Sequence, residues 1–313
     1  MFEIALQTHE SCDDLLTEAR PGLASNRIHQ GDCRTFLKHI KDKAIDLVVT
    51  DPPYFLDGLD NGWRKGGKEA PRATGTVGGL PVGMKFDPAQ GKALQQFMSG
   101  IAGELIRCMK PGAFALVFSQ PRLSHRMAIA LEDQGFEIRD LCVWHYTKRT
   151  QFKAFSQNHF IERMDLPDWK KRQIIAEMEG LKTPQLRGQH ESIILAQKPR
   201  QGTFVENWQR WKTGLMNADA SLDGSRPSNV MQVEKADLAE RGVAAEHLTP
   251  KPLRLLSHLI ELFSSEGQTV LDPFLGSGST AVAAQSLKRD WIGIEINPTY
   301  VALAEKRLAD AMI

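Results

Sequence analysis

The stretch DLVVTDPPYFLDG (46–58) places an acid, two prolines and an aromatic ring directly after a run of apolar residues. An amino group on an aromatic ring is a poor nucleophile, because its lone pair is delocalised into the ring. The carboxylate of Asp51 and the carbonyl of Pro52 can accept hydrogen bonds from its two N–H groups in tetrahedral directions. This geometry localises the lone pair on the nitrogen. Pro52 and Pro53 fix the backbone without adding a competing N–H, and Tyr54 can stack on a base, which contributes about 1–3 kcal/mol. These residues predict a site that activates an aromatic amine; a proline-rich turn that merely ends a strand is the alternative.

A glycine turn in LDPFLGSGST (271–280) indicates a ligand site near the other end of the chain. No lysine follows Gly278, and the third glycine of a dinucleotide-binding loop is missing, so neither phosphate-binding motif is present. A strand, a tight turn and a helix N-terminus remain, where backbone N–H groups can approach a carboxylate closely. A turn required only for packing is the alternative.

Two acids follow other predicted strands. Glu295 ends the strand after the glycine turn, where a carboxylate can accept hydrogen bonds from both hydroxyls of a ribose. Together with the turn, it predicts a nucleoside cofactor without a polyphosphate. Asp32, in GDCRTFL (31–37), can bind an adenine amino group or cap the helix that follows it, and taken alone the cap is favoured.

The elements that position these residues alternate between strands and helices, which predicts a parallel α/β sheet. Strands are expected at 44–50, 113–119, 136–146, 191–198, 269–274 and 291–297, and helices at 92–109, 123–135, 251–264, 279–288 and 299–312. A glycine-rich loop (57–91), a basic insertion (147–190) and an irregular stretch (200–246) interrupt the pattern.

Composition and charge exclude several classes of protein. Apolar residues make up 42% of the 313 residues and charged residues 25%, which is ordinary globular composition. No apolar run is long enough to span a bilayer. The acidic N-terminus lacks the basic region of a signal peptide, so we expect a cytoplasmic protein. The four cysteines lack a CxxC spacing, so neither a metal site nor a disulfide framework is expected.

Basic residues are concentrated in one segment. Between Trp144 and Lys212 there are 13 Lys and Arg against 7 Asp and Glu, although the whole chain has a net charge of only +1. An enzyme that meets a polyanion on one side would have this distribution. A solvated basic surface without a partner is the alternative.

DPPY, DPFLGSGST and IGIEINPTYV together resemble the amino-methyltransferases of DNA that use S-adenosyl-L-methionine. The catalytic motif precedes the cofactor motif, as in the β class of that family. The resemblance covers roughly residues 26–310 except for 147–187. It implies a Rossmann-like, seven-stranded methyltransferase sheet with helices on both faces, a circularly permuted motif order and a basic recognition insertion. The expected divisions are an N-terminal tail (1–25), a catalytic half (26–146), a target-recognition insertion (147–190), a strand with a variable connecting segment (191–246) and a cofactor-binding half (247–313).

The resemblance also implies roles for individual residues. The DPPY residues Asp51, Pro52, Pro53 and Tyr54 would hold the target base. HLTPKP (247–252) departs from the family pattern HPTxKP at Leu248, and the cofactor carboxylate is expected near Thr249 and Lys251. The full set of expected cofactor ligands is Asp32, Cys33, Thr249, Lys251, Asp272, Phe274, Gly276, Gly278, Ser279 and Glu295.

DNA is the implied partner. Its amino groups lie inside the duplex, so the target nucleotide would have to be flipped out. Family members with DPPY modify mainly adenine N6, which we expect here; cytosine N4, an RNA base, a protein amide and a catalytically dead DNA-binding module are the alternatives. A homodimer, a cognate restriction endonuclease and association with the nucleoid are further expectations. The candidate DNA contacts are Trp63, Arg64, Lys148, Arg149, Lys153, Lys170, Lys171, Arg172 and Arg187.

Overall fold

The computed structural model of the chain describes residues 22–54, 76–77, 80–81, 88–148, 150, 152, 154–237 and 250–311. The alternation of strands and helices predicted from the sequence is present in these residues. The strands are β1 (Arg27–Gln30), β2 (Ile45–Thr50), β3 (Thr76–Val77), β4 (Leu80–Pro81), β5 (Met109–Ser119), β6 (Glu137–His145), β7 (His190–Gln197), β8 (Val230–Gln232), β9 (Thr269–Asp272) and β10 (Asp290–Glu295). The α-helices are α1 (Cys33–Phe36), α2 (Pro88–Cys108), α3 (Ser124–Glu132), α4 (Asn158–Glu162), α5 (Asp168–Glu177), α6 (Phe204–Trp211), α7 (Leu253–Phe263), α8 (Ser279–Ser286) and α9 (Pro298–Asp310).

One sheet runs in the order β1-β10-β9-β2-β5-β7-β6-β8, and β3 and β4 form a separate antiparallel pair. Neighbours from β1 to β5 are parallel, whereas β7 is antiparallel to both β5 and β6. The main sheet has eight strands where the resemblance implied seven. The additional strand is β8, which pairs in parallel with the edge strand β6 between Val143 and His145.

The central strand β2 (IDLVVT) is buried along its whole length, as expected of a strand with parallel neighbours and helices on both faces. Its side chains alternate between two cores. Val48 packs with α2 and α3 on one face, whereas Leu47 and Val49 pack with α7 and α8 on the other. The two helical layers therefore hold the end of β2 in a fixed position.

Strand direction brings five acids to one edge of the sheet. Because β1, β10, β9 and β2 are parallel, their carboxyl ends lead to Asp32, Glu295, Asp272 and Asp51 at the same edge. The antiparallel strand β7 contributes its amino end there, which adds Glu191. This edge is the natural location of a site in an α/β sheet.

The segment between β6 and β7 contains α4 and α5, and its assignment as a target-recognition insertion stays a prediction. The stretch 200–246 was expected to be irregular, and that expectation is wrong for α6 and β8. A capping box starts α6: the Thr203 hydroxyl accepts from the Glu206 N–H at 3.2 Å, and the Glu206 carboxylate accepts from the Thr203 N–H at 2.7 Å. Buried Asn207 anchors the helix by donating to the carbonyl of Pro111 at 3.0 Å.

A buried carboxyl joins the two strands that carry the main motifs. Asp272, at the end of β9, accepts hydrogen bonds from the Thr50 hydroxyl at 2.8 Å and from the Phe274 N–H at 3.0 Å. Burial raises the pKa of Asp272 to about 6. The carboxyl therefore ties the end of β2 to the glycine turn, but its charged form is penalised by burial.

The raised pKa of Asp272 predicts a pH-dependent contribution to stability. The folded state retains this proton up to about pH 6, whereas the ordinary value is 3.8. We expect the unfolding free energy of the wild type, relative to Asp272→Asn, to fall by about 3 kcal/mol between pH 4 and 6 and then level off. Urea unfolding of both proteins at pH 4, 5, 6 and 7 measures this difference, with exposed Asp133→Asn as the control. A difference that does not change with pH would contradict the assignment.

The glycine turn limits what position 278 can hold. Gly278 has φ 83°, and a Cβ there would lie 2.8 Å from the Cβ of Ala304 in α9. We expect Gly278→Ala to lower the unfolding free energy by about 2–4 kcal/mol, because left-handed strain and overpacking combine. Gly267→Ala is the matched control: its φ is 76° with no heavy atom within 4 Å, so it should lose about 1 kcal/mol. Equal losses in urea unfolding would show that the contact with Ala304 costs nothing.

Candidate active site

Both carboxylate oxygens of Asp51, directly after β2, accept hydrogen bonds. The Tyr54 hydroxyl donates to Oδ1 at 2.6 Å, and the Lys251 ammonium donates to Oδ2. The Asp51 side chain keeps 29% of its exposure, so it is open to a ligand on one side. The structure therefore brings Asp51 and Tyr54 together as the sequence predicted, and it adds Lys251 to them.

Glu191 is a second acceptor for the same two donors. Its Oε2 lies 3.2 Å from the Lys251 Nζ and 3.4 Å from the Tyr54 hydroxyl. Sequence reasoning missed this residue. We call Asp51, Tyr54, Glu191 and Lys251 the ion cluster.

Protonation in the ion cluster follows from burial and neighbouring charge. The Lys251 side chain is only 7% exposed, and burial lowers its pKa, but the carboxylates of Asp51 and Glu191 outweigh burial and raise the pKa above its ordinary value. Lys251 is therefore an ammonium at neutral pH. Burial, followed by the same carboxylates, raises the pKa of Tyr54 well above its usual range, so its hydroxyl remains a donor.

Aromatic rings surround the ammonium. The Nζ of Lys251 lies 5.0 Å from the ring centre of Phe118, 5.9 Å from that of Trp144 and 6.0 Å from that of Tyr54. Trp144 is fixed by donating its indole N–H to the Val233 carbonyl at 2.7 Å. The rings attract the cation and limit the access of water, so the charges of the ion cluster interact strongly.

Glu295 and the glycine turn meet as predicted. The N–H groups of Gly276 and Asn297 donate to the two Glu295 oxygens at 2.8 and 2.7 Å. Burial raises the pKa of Glu295 even though these bonds favour its charged form. A carboxylate offers about four lone-pair sites, so acceptor capacity remains for hydroxyl donors such as those of a ribose.

Buried Arg307 braces the turn from α9. Its guanidinium donates to the Ser277 carbonyl and to the Ser279 hydroxyl, both at 2.8 Å. No feature of the sequence singled out this residue. Phe274 is buried and packs against Phe97 with ring centres 6.0 Å apart; its role beside the cofactor, like those of Gly278 and Ser279, stays a prediction.

Asp32 lies beside Glu295, because the Gly31 N–H donates to the Glu295 carbonyl at 2.8 Å. Its side chain caps α1 by accepting from the Arg34 N–H at 2.9 Å, and it also pairs with the Arg34 guanidinium, which holds its pKa below the ordinary value. The capping alternative is thus realised, and the adenine contact stays a prediction. Burial raises the pKa of the Cys33 thiol to about 12, so that side chain is neutral.

The candidate DNA contacts are only partly described. Lys148 and Arg187 are exposed, and α5 carries Lys170, Lys171 and Arg172. The Lys171 ammonium donates to the Glu162 carbonyl at 3.0 Å, which orients it along the insertion. The DNA-contact candidates Trp63, Arg64, Arg149 and Lys153 lie outside the described residues, as does the cofactor candidate Thr249.

Among the described residues, no helix has the length and apolar character needed to cross a membrane. The His, Cys, Asp and Glu side chains of this described part form no group of three or more with the geometry to hold a metal ion.

Comparison with known proteins agrees with this geometry. The chain is 27% identical over 301 residues to the Type II methyltransferase M.HindIII of Haemophilus influenzae. This alignment covers 90% of this chain and 94% of that protein. It is 26% identical to the Type II methyltransferase M.HpaI of Haemophilus parainfluenzae, over 87% and 70% of the two chains.

Solved structures confirm the fold class. The cytosine-N4-specific PvuII DNA methyltransferase matches with a TM-score of 0.59 at 16% identity, over 94% of each chain. The complex of M1.HpyAVI with S-adenosyl-L-methionine matches with a TM-score of 0.52 at 16% identity, over 90% of this chain and 98% of that one. Residues 45–306 match the family described as DNA methylase, N6_N4_Mtase. Because the match includes the DPPY motif, the glycine turn and Glu295, the chain belongs to the family of DNA amino-methyltransferases that its motifs predicted.

Proposed function

We propose that the protein transfers a methyl group from S-adenosyl-L-methionine to the N6 amino group of adenine in double-stranded DNA. The observation that carries the proposal is the position of Asp51 at the carboxyl end of β2, at the same edge as the glycine turn and Glu295. An acceptor for an aromatic amine therefore lies beside residues suited to a nucleoside. The DPPY sequence favours adenine.

The residues at this edge suit the donor. S-adenosyl-L-methionine supplies a methyl group on a positively charged sulfur. Glu295 would accept hydrogen bonds from its ribose hydroxyls and Asp32 would meet its adenine. The ammonium of Lys251 is held by Asp51 and Glu191, so we assign the carboxylate of the donor to the backbone N–H groups of the glycine turn.

Asp51 and the Pro52 carbonyl would draw the two N–H bonds of the flipped adenine out of conjugation. The nitrogen lone pair would then form the N–C bond while the carbon–sulfur bond breaks, with sulfur keeping the electron pair and S-adenosylhomocysteine as the leaving group. The nitrogen would afterwards release a proton to solvent. Catalysis would depend on positioning and on acceptors directed at the charge that develops on the nitrogen.

The cations of α5, of which Arg172 is exposed and Lys170 and Lys171 are half-buried, suit a polyanionic partner together with exposed Lys148 and Arg187. We assign them to phosphate contacts, which position DNA without specifying its sequence. The homodimer, the cognate endonuclease and the nucleoid association stay predictions from the resemblance, and the cytoplasmic location stays a prediction from the sequence.

Cytosine N4 is a second candidate target. Its amine, like that of adenine, is attached to an aromatic ring and requires the same acceptors. The two targets differ in the product that forms, so nucleoside analysis separates them.

We expect the protein with labelled S-adenosyl-L-methionine to form N6-methyladenine in unmethylated genomic DNA. Digestion to nucleosides identifies the product, and modification-sensitive sequencing gives its site. Asp51→Ala should lower turnover at least 100-fold while calorimetric binding of the cofactor persists, because Asp51 acts on the amine. N4-methylcytosine would change the target base, whereas label in RNA or protein alone would exclude DNA as the substrate.

Lys170→Ala/Lys171→Ala tests the DNA surface. We expect weaker binding and a slope of log K against log salt that is smaller by about 1–2, because each lost phosphate contact releases one counterion fewer. Fluorescence anisotropy with duplex DNA at several salt concentrations measures the slope. Lys92→Ala/Lys306→Ala removes two exposed helical lysines elsewhere and should leave it unchanged. Identical slopes for both variants would place the DNA on another surface.

A further inference from the structure

Asp51 already serves two donors of the ion cluster, Tyr54 at one oxygen and Lys251 at the other. An amine that binds Asp51 either uses the acceptor sites that these donors leave open or displaces one of them. Buried donors are costly to leave without an acceptor, so a displaced hydroxyl or ammonium needs a second acceptor nearby.

Glu191 is placed to be that acceptor. Its Oε2 is already 3.4 Å from the Tyr54 hydroxyl and 3.2 Å from the Lys251 ammonium, so small movements would shorten either contact. The Glu191 side chain is 18% exposed, and β7 pairing fixes its backbone, because Trp144 of β6 lies opposite it. The Glu191 carboxylate can therefore accept a hydrogen bond from either the Tyr54 hydroxyl or the Lys251 ammonium without a change in the sheet.

Charge gives Glu191 a second effect on the reaction. Two carboxylates and one ammonium give the ion cluster a formal net charge of one negative unit. The amine nitrogen becomes positive as its new bond forms, so a net negative neighbour stabilises it most in the transition state. Without the Glu191 charge, Asp51 and Lys251 would form a neutral pair.

We propose that Glu191 is a positioning residue for methyl transfer. It accepts hydrogen bonds from the Tyr54 hydroxyl and the Lys251 ammonium when the amine binds Asp51, and it keeps the ion cluster net negative. This inference rests on the proposed function, but it applies equally to an adenine or a cytosine amine. A purely structural Glu191 would only compensate the buried ammonium of Lys251.

Charge-matched variants separate these roles. Glu191→Gln keeps the shape and one acceptor oxygen but leaves the ion cluster neutral, whereas Glu191→Gln with Lys251→Met restores one net negative charge. We expect Glu191→Gln to lower kcat per active site about 100-fold, with KM for DNA and Kd for S-adenosyl-L-methionine changed less than threefold. The double variant should regain about tenfold in kcat over Glu191→Gln.

Label incorporated into DNA measures kcat, and titration of active sites corrects for misfolded protein. Glu104→Gln is the matched control, because Glu104 is also a partly buried glutamate, held by the Arg107 guanidinium at 2.8 Å, and it should leave kcat unchanged. A Glu191→Gln kcat within twofold of the wild type, a change confined to KM, or further loss in the double variant would overturn the role of Glu191. A wild type that methylates no DNA would instead overturn the proposed function, and this inference with it.

Discussion

The pairing of the buried Lys251 ammonium with the carboxylates of Asp51 and Glu191 is the interaction on which the catalytic edge depends. Taking a charge out of water costs several kcal/mol unless counter-charges and hydrogen bonds surround it. The counter-charges come from the end of β2 and the start of β7, which lie on either side of β5. A slip of one residue in either pairing would turn Asp51 or Glu191 to the other face of the sheet. The register of three strands and the ion cluster therefore specify each other.

The sequence predicted the α/β alternation because buried parallel strands produce short apolar runs that polar turns separate clearly. It did not predict β8, which has only three residues and no periodicity of its own; its pairing with β6 depends on tertiary context. The helix α6 was missed although its sequence is strongly amphipathic, and although Thr203 and Glu206 form a capping box that the sequence already contained.

The same distinction applies to the site. Asp51, Asp272 and Glu295 follow strands and could be placed at one edge from the sequence, since parallel strands end together. Glu191 begins a strand, and it reaches that edge only because β7 runs antiparallel. The sequence contains no sign of strand direction by itself. Lys251 matched a family motif, but its contact with Asp51 joins residues 200 positions apart, and only the packing of the folded chain brings them together.

Asp51 and Asp272 end adjacent parallel strands, yet their surroundings suit different tasks. Asp272 is enclosed by neutral donors, and burial dominates, so its pKa rises and it serves as a buried link. Asp51 faces an ammonium and keeps an open side. The Lys251 ammonium is shared between Asp51 and Glu191 and supplies the counter-charge for both carboxylates beside aromatic walls. A concentrated negative charge in a poorly hydrated site is what an amine that becomes positive requires.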